Sequence, residues 1–264
     1  MKWALITGAS KGIGEEISKE LSKLGWRLIL VARTEHLLQN LSQNLNSAGE
    51  HEHTHRIFAC DLTDPRERER LFDFVQTEDI EISALVNNAG FGSNGSFQDL
   101  DRKRELRQIE LNISALVDLS HLFLEQLQKN KGYILNIAST AGFQPGPYMA
   151  VYYATKSFVL HFSEALAIEL KDTGVSVTAH CPGATESEFG KVSGNDKSLL
   201  FALRVMDRNI VAKHAIQAML SRKRVAIPGL MNLLVAKSVS FTPRPLVLFL
   251  AKLLNQPSAK NRER

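Results

Sequence analysis

Residues 3–14 read Trp3-Ala4-Leu5-Ile6-Thr7-Gly8-Ala9-Ser10-Lys11-Gly12-Ile13-Gly14. The apolar run up to Thr7 has the length of a buried strand. Residues 13–24 carry apolar side chains at helical spacing and stop at Gly25. The stretch therefore reads as strand, glycine turn, helix. Glycines suit such a turn for two reasons. They take backbone angles closed to other residues. They also let main-chain N–H groups approach an anion at the helix N-terminus. A glycine turn placed between a strand and a helix is evidence of phosphate binding, though not decisive alone.

Outward from this turn the same alternation continues. Further strands are expected at 27–31, 56–60, 84–87, 133–138 and 175–180. Helices are expected at 35–48, 66–76, 102–129, 151–171 and near 211–221. Strands separated by helices this long pair in parallel through βαβ units. The expected fold is α/β: a single-domain, Rossmann-like doubly wound parallel sheet with helices on both faces. The 264 residues suit one such domain. Ligands of these sheets sit at the carboxyl ends of the strands. Residues 188–210 read as a flap over that end, and 258–264 as a polar tail.

Composition is that of an ordinary globular protein, 44% apolar and 23% charged. Cys60 and Cys181 do not make a disulfide framework and read as small buried residues in a reducing compartment. Met1-Lys2-Trp3 leads straight into the first strand, without room for a signal peptide. No apolar run approaches the roughly 20 residues of a membrane span. A cytoplasmic protein is expected. From residue 201 onward there are 12 lysines and arginines against 2 acidic residues. A solvated basic face is one reading; contact with an anionic membrane surface or acyl carrier is another. No nucleic-acid motif accompanies these charges. His51, His53 and His55 alternate and read as a solvated loop rather than a metal site.

Further motifs follow the turn in order. Asn87-Asn88-Ala89-Gly90 ends the fourth strand, Ser139 ends the fifth, and Tyr152-Tyr153-Ala154-Thr155-Lys156 supplies Y-x-x-x-K. Together with T-G-x-x-x-G-x-G at residues 7–14, this pattern resembles the short-chain dehydrogenase/reductase family from about residue 3 to 190. The resemblance implies an NADP(H)-dependent oxidoreductase acting on a carbonyl or alcohol. It implies cofactor contacts from Gly8, Ser10, Lys11, Gly12, Ile13 and Gly14, and from Asn87, Ala89 and Gly90. Asp61 and Leu62 take the family's adenine position. Pro182-Gly183-Ala184-Thr185-Glu186-Ser187 resembles P-G-x-x-x-T, with Ser187 replacing the threonine at the carboxamide; Pro182, Gly183 and Thr185 belong to the same set. Ser139 precedes Tyr152 by the family's usual separation. Asn112 matches the member that holds a water in a proton relay. Family members associate as homodimers or homotetramers through their long helices. The C-terminal portion is loosely similar to members near hydroxysteroid and fatty-acyl reductases and sets no substrate.

The residues add physical reasons. Arg33 follows the second strand, where a carboxylate would select NAD; an arginine there suits a 2′-phosphate, and Lys11 adds charge. Glu35 is the counter-signal and reads as a first-turn residue favoured by the helix dipole. Tyr152 and Lys156 stand four apart on one helix face, so the ammonium can act on the phenol. Lys156 also holds the nicotinamide ribose, by resemblance. Tyr153 is the rival phenol, disfavoured by the Ser139 spacing. Phe91, Phe143, Tyr148, Met149 and Phe189 flank the expected site and suggest an apolar substrate. The alternative is an NADP(H)-binding sensor with little turnover; such relatives often lack the tyrosine or lysine that this chain keeps.

Overall fold

The computed structural model describes residues 2–48, 55–195 and 205–257. Its sheet is parallel throughout. The strands are β1 (Trp3–Thr7), β2 (Arg27–Ala32), β3 (Arg56–Ala59), β4 (Ile82–Asn87), β5 (Tyr133–Ile137), β6 (Ser176–His180) and β7 (Val225–Ala226). Their spatial order is β3-β2-β1-β4-β5-β6-β7. The chain moves outward from β1 in both directions, so the order reverses there and opens a crevice at the carboxyl ends of β1 and β4.

The strands alternate their side chains between two cores. Ala4, Ile6, Leu28, Leu30 and Val86 face one, with Ile17 and Leu21 of α1 (Gly12–Lys23) and Ile216 of a later helix. Leu5, Ile29, Val31 and Leu85 face the other, with Leu71 of α3 (Pro65–Thr77) and Phe123. Burial on both faces explains why these strands read as nearly continuous apolar runs. α2 (Glu35–Ala48) lies where the spacing placed it. Asp64 caps α3 by accepting from the Arg66 N–H, with Pro65 at the first helical position.

Three departures from expectation have physical causes. The helix expected over 102–129 is divided. α4 (Arg102–Ile109) runs through a π turn (Glu110–Ser114) into α5 (Ala115–Leu122), breaks at the fully buried Phe123, and resumes as α6 (Leu124–Lys129). β7 has no counterpart in the sequence pattern, because two residues paired to Ala179 and His180 carry no periodicity. His55 is not part of a solvated loop: it is buried, its Nδ1 accepts from the Leu28 N–H at 3.2 Å, and its Nε2 lies 3.2 Å from Ser22 Oγ. His51 and His53 lie outside the described residues.

α7 (Ala150–Glu169) follows β5. After β6 come α8 (Phe189–Ser193), α9 (Arg208–Leu220), α10 (Leu230–Ser238) and α11 (Arg244–Asn255). Of the expected flap, residues 188–195 and 205–210 are described; a bridge pairs Thr185 with Met206. The expected tail lies outside the described residues. Among the described residues no helix is long and apolar enough to cross a membrane.

Candidate active site

A cleft of about 1020 Å³ lies at the carboxyl ends of β1, β4, β5 and β6, where the sequence motifs converge. Gly8, Ser10, Lys11, Gly12 and Ile13 line one end. Gly8 has φ +64°, and a Cβ there would stand 2.9 Å from Asn88 Nδ2. A Cβ on Gly14 would stand 2.3 Å from the Gly8 carbonyl oxygen, so Gly14 shapes the turn from behind without lining the cleft.

The turn and the Asn-Asn-Ala-Gly loop are bonded into one unit. Thr7 Oγ1 accepts from the N–H groups of Asn88 and Ala89, each at 3.0 Å. Asn88 Nδ2 donates to the carbonyls of Thr7 at 2.9 Å and Gly8 at 3.2 Å. Ala89 and Gly90 line the cleft as expected, but Asn87 does not. Its amide donates to Asn136 Oδ1 at 2.9 Å and Ser120 Oγ at 3.1 Å behind the sheet end. Alternation along β4 sends successive side chains to opposite faces. Asn88, its neighbour, is the functional residue sequence reasoning passed over.

Ser139, Tyr152 and Lys156 meet across the cleft floor. Tyr152 hydrogen-bonds Ser139, and its ring packs on Phe189 with centroids 5.0 Å apart. Ser139 Oγ accepts from the Ala141 N–H at 3.1 Å and donates to the Pro182 carbonyl at 3.3 Å. Lys156 Nζ donates to the Ile137 carbonyl at 2.7 Å and lies 5.8 Å from the Tyr152 ring centroid. Burial pulls the Lys156 ammonium down to about 8. Burial pushes the Tyr152 phenol well above its ordinary value, which the Ser139 hydrogen bond only partly opposes. The net shift is thus opposite to the lowering expected from the lysine, because desolvation is the largest contribution at both groups. Tyr153 does not share the role: its hydroxyl is committed to Asn255 Oδ1 at 3.1 Å.

Asn112 sits inside the π turn. Its Oδ1 accepts from the Phe91 N–H at 3.1 Å. Its Nδ2 donates to the Phe91 carbonyl at 2.9 Å and to Thr155 Oγ1 at 3.0 Å. The side chain therefore ties the loop after Gly90 to α7 and does not line the cleft. A π turn is a common way to aim one residue of a helix at a functional site.

At the opposite end Arg33 and Thr34 line the cleft, and Glu35 does not; Glu35 instead accepts from Gln39 Nε2 at 3.2 Å. Asp61 and Leu62 are in the wall. Burial raises the Asp61 carboxyl, but hydrogen bonds from Thr63 and the charges of Arg107 and Arg33 outweigh it and hold the group below its usual range. Lys11 Nζ lies 3.8 Å from Glu188, both exposed, linking the glycine turn to the start of the flap.

Pro182, Gly183, Thr185 and Ser187 line the wall after β6. A Cβ on Gly183 would meet Asn232 at 2.8 Å, so glycine there admits α10 close to the sheet. Of the expected apolar flank, Phe91, Met149 and Phe189 line the cleft. Phe143 packs instead beside Leu116 and Val159, and Tyr148 stays outside the lining. The rest of the apolar wall comes from the C-terminal helices, through Met231, Val235, Ala236 and Leu254, which periodicity did not assign to the site. Cys60 and Cys181 are buried, with thiols pushed up to about 12 by burial.

A crevice at a strand-order reversal, with a glycine turn on one side and a half-buried tyrosine beside a buried lysine on the other, is the arrangement of doubly wound dinucleotide-binding folds. Residues 2–198 match the model of the short chain dehydrogenase family, and the chain belongs to that family. It is 32% identical over 199 residues to a very-long-chain 3-oxoacyl-CoA reductase of Anas platyrhynchos, covering 72% of this chain and 62% of the relative. It is 32% identical over 208 residues to 17-beta-hydroxysteroid dehydrogenase type 3 of Mus musculus, covering 74% and 63%. The chain thus matches less than two thirds of the length of these relatives. A short-chain dehydrogenase from Sphingobium yanoikuyae, solved in complex with NADPH, superposes with a TM-score of 0.80 at 30% identity, covering 99% of this chain and all of that one.

Proposed function

We propose that this chain is an NADP(H)-dependent oxidoreductase that interconverts a carbonyl and an alcohol on a bulky apolar molecule. The observation that carries the reading is the meeting of Ser139, Tyr152 and Lys156 in one cleft with the glycine turn. The residues fit the cofactor. Gly8 and Gly14 let the turn close tightly on Asn88. Gly8, Ser10, Lys11 and Gly12 line the cleft at the start of α1, and Arg33 rather than Glu35 faces the end where a 2′-phosphate would lie. When bound, the cofactor supplies the hydride.

The chain's own residues supply the rest. Ser139 offers its hydroxyl to the substrate oxygen. Tyr152, whose raised phenol stays protonated at neutral pH, gives its proton to that oxygen as the alcohol forms. Lys156 places a positive charge beside the phenolate that remains, and it carries the family's ribose-holding role. Asn112 holds the Phe91 loop and takes the family's place in the proton relay. Gly12, Ile13, Ala89, Gly90, Asp61 and Leu62 form the cofactor walls, with Pro182, Gly183, Thr185 and Ser187 closing over the carboxamide end.

The apolar walls from Phe91, Met149, Phe189, Met231, Val235 and Leu254 favour an extended apolar substrate. The reading also includes self-association through α4 to α7, where Leu106, Ile109, Phe158 and Ile168 are exposed apolar residues. A panel of ketones with NADPH and NADH tests the reaction. Turnover of bulky ketones with NADPH is expected; no turnover with either cofactor sinks the proposal.

A further inference from the structure

The C-terminal helices leave an unusual surface. In α11 only Val247, Ala251 and Asn255 are buried, a narrow stripe at every fourth residue. A surface helix with so narrow a core face carries polar residues around the rest. Here Leu246, Phe249, Leu250 and Leu253 occupy that exposed face. α10 does the same with Leu230, 72% exposed, and Leu234. Phe241, in the connection between them, is 90% exposed. So many large apolar side chains exposed within one short segment mark a place of contact.

Charge indicates the partner. Residues 230–257 contain Lys237, Arg244 and Lys252, all exposed, and no aspartate or glutamate. Two copies meeting symmetrically on this face would crowd six cations with no anion to pair them. An anionic lipid surface supplies the opposite charge and an apolar interior together. The face is also continuous with the cleft: Met231 and Val235 are exposed on it and line the cavity as well.

We propose that α10, α11 and their connection dock this protein on an anionic membrane surface, with the cleft opening toward the lipid. Docking is peripheral, because no described helix is long and apolar enough to cross a membrane. The entry of an apolar substrate from the bilayer rests on the proposed function; the docking itself does not.

The test is co-sedimentation of the full chain with phosphatidylcholine vesicles, with and without phosphatidylglycerol. Preferential binding to the anionic vesicles, weakened by salt, is expected. The triple variant Phe241→Ser, Phe249→Ser, Leu253→Ser should lower partitioning by about tenfold or more with an unchanged melting temperature, since these side chains support no core. Replacing Lys237, Arg244 and Lys252 with glutamine should abolish the preference for anionic lipid. Absence of native binding overturns the proposal, as does a triple variant that binds like the native chain. A triple variant that changes only the oligomeric mass in light scattering assigns the face to a second copy and also overturns it. Tyr152→Phe should sediment like the native chain. Failure to reduce soluble ketones alongside intact sedimentation sinks the enzymatic reading alone; turnover without sedimentation sinks the docking alone.

Discussion

Tyr153 Oη donates a hydrogen bond of 3.1 Å to Asn255 Oδ1, joining α7 to the end of α11 across 102 residues of sequence. Both side chains are buried. The Asn255 carbonyl also accepts from Asn94 Nδ2 at 2.8 Å, so this helix end is held between α7 and the loop after β4. The residue beside Tyr152 is therefore fixed by the same contact that closes the cleft wall.

Asn255→Ala should leave the Tyr153 hydroxyl buried without its partner. The expected cost is about 1–3 kcal/mol of stability, read by urea unfolding. The Michaelis constant for a bulky ketone should rise more than that for a small one, because the Leu254 wall loosens. Native stability in this variant would contradict the role.

Tyr152→Phe removes one hydroxyl and keeps the ring on Phe189. Turnover should fall by about a hundredfold or more if the phenol is the proton donor, while NADPH binding, read by fluorescence, persists. Tyr153→Phe should show the reverse balance, with reduced stability and much of its turnover kept.

Lys156 makes a pH prediction with a definite sign. Its ammonium is at about 8 when folded, below its ordinary 10.5. Between these values the unfolded chain holds the extra proton on Lys156, so this group adds stability as pH rises from about 8 to 9. From about 9 the buried Cys60 and Cys181 thiols, raised to about 12, keep their protons in the folded state and oppose it. Above about 10 the raised Tyr152 phenol joins them, since the folded state then keeps its proton too. Melting curves from about pH 8 to 9 should show the Lys156 contribution in the native chain and lose it in Lys156→Met.

Arg33→Ala should weaken NADPH binding by about tenfold to a hundredfold through loss of a charge-assisted contact. NADH binding should change little. Equal effects on both cofactors would remove the basis for the assigned preference.

Much of this protein is decided locally and is visible in its sequence. The β1 turn needs glycine at residue 8 for its φ of +64°, and at residue 14 because a Cβ there would collide with the Gly8 carbonyl; both demands are local. The fourfold spacing of Tyr152 and Lys156 follows from one helix. Alternating apolar runs and helical periods locate the first six strands because both faces of the sheet are buried. What the sequence left open depends on contacts between distant segments. Helical spacing could not reveal that Asn112 would be spent on Phe91, that Asn87 would point behind the sheet, or that Tyr153 would bind Asn255. β7 exists only because β6 offers it an edge. The pKa shifts of Tyr152 and Lys156 also belong here, since their direction is set by burial, Tyr152 against Phe189 of α8 and Lys156 against the end of β5. Local sterics and periodicity thus wrote the phosphate turn and the sheet; only tertiary packing decided what closes the cleft and how its titrating groups behave, because desolvation arises from residues far apart in the chain.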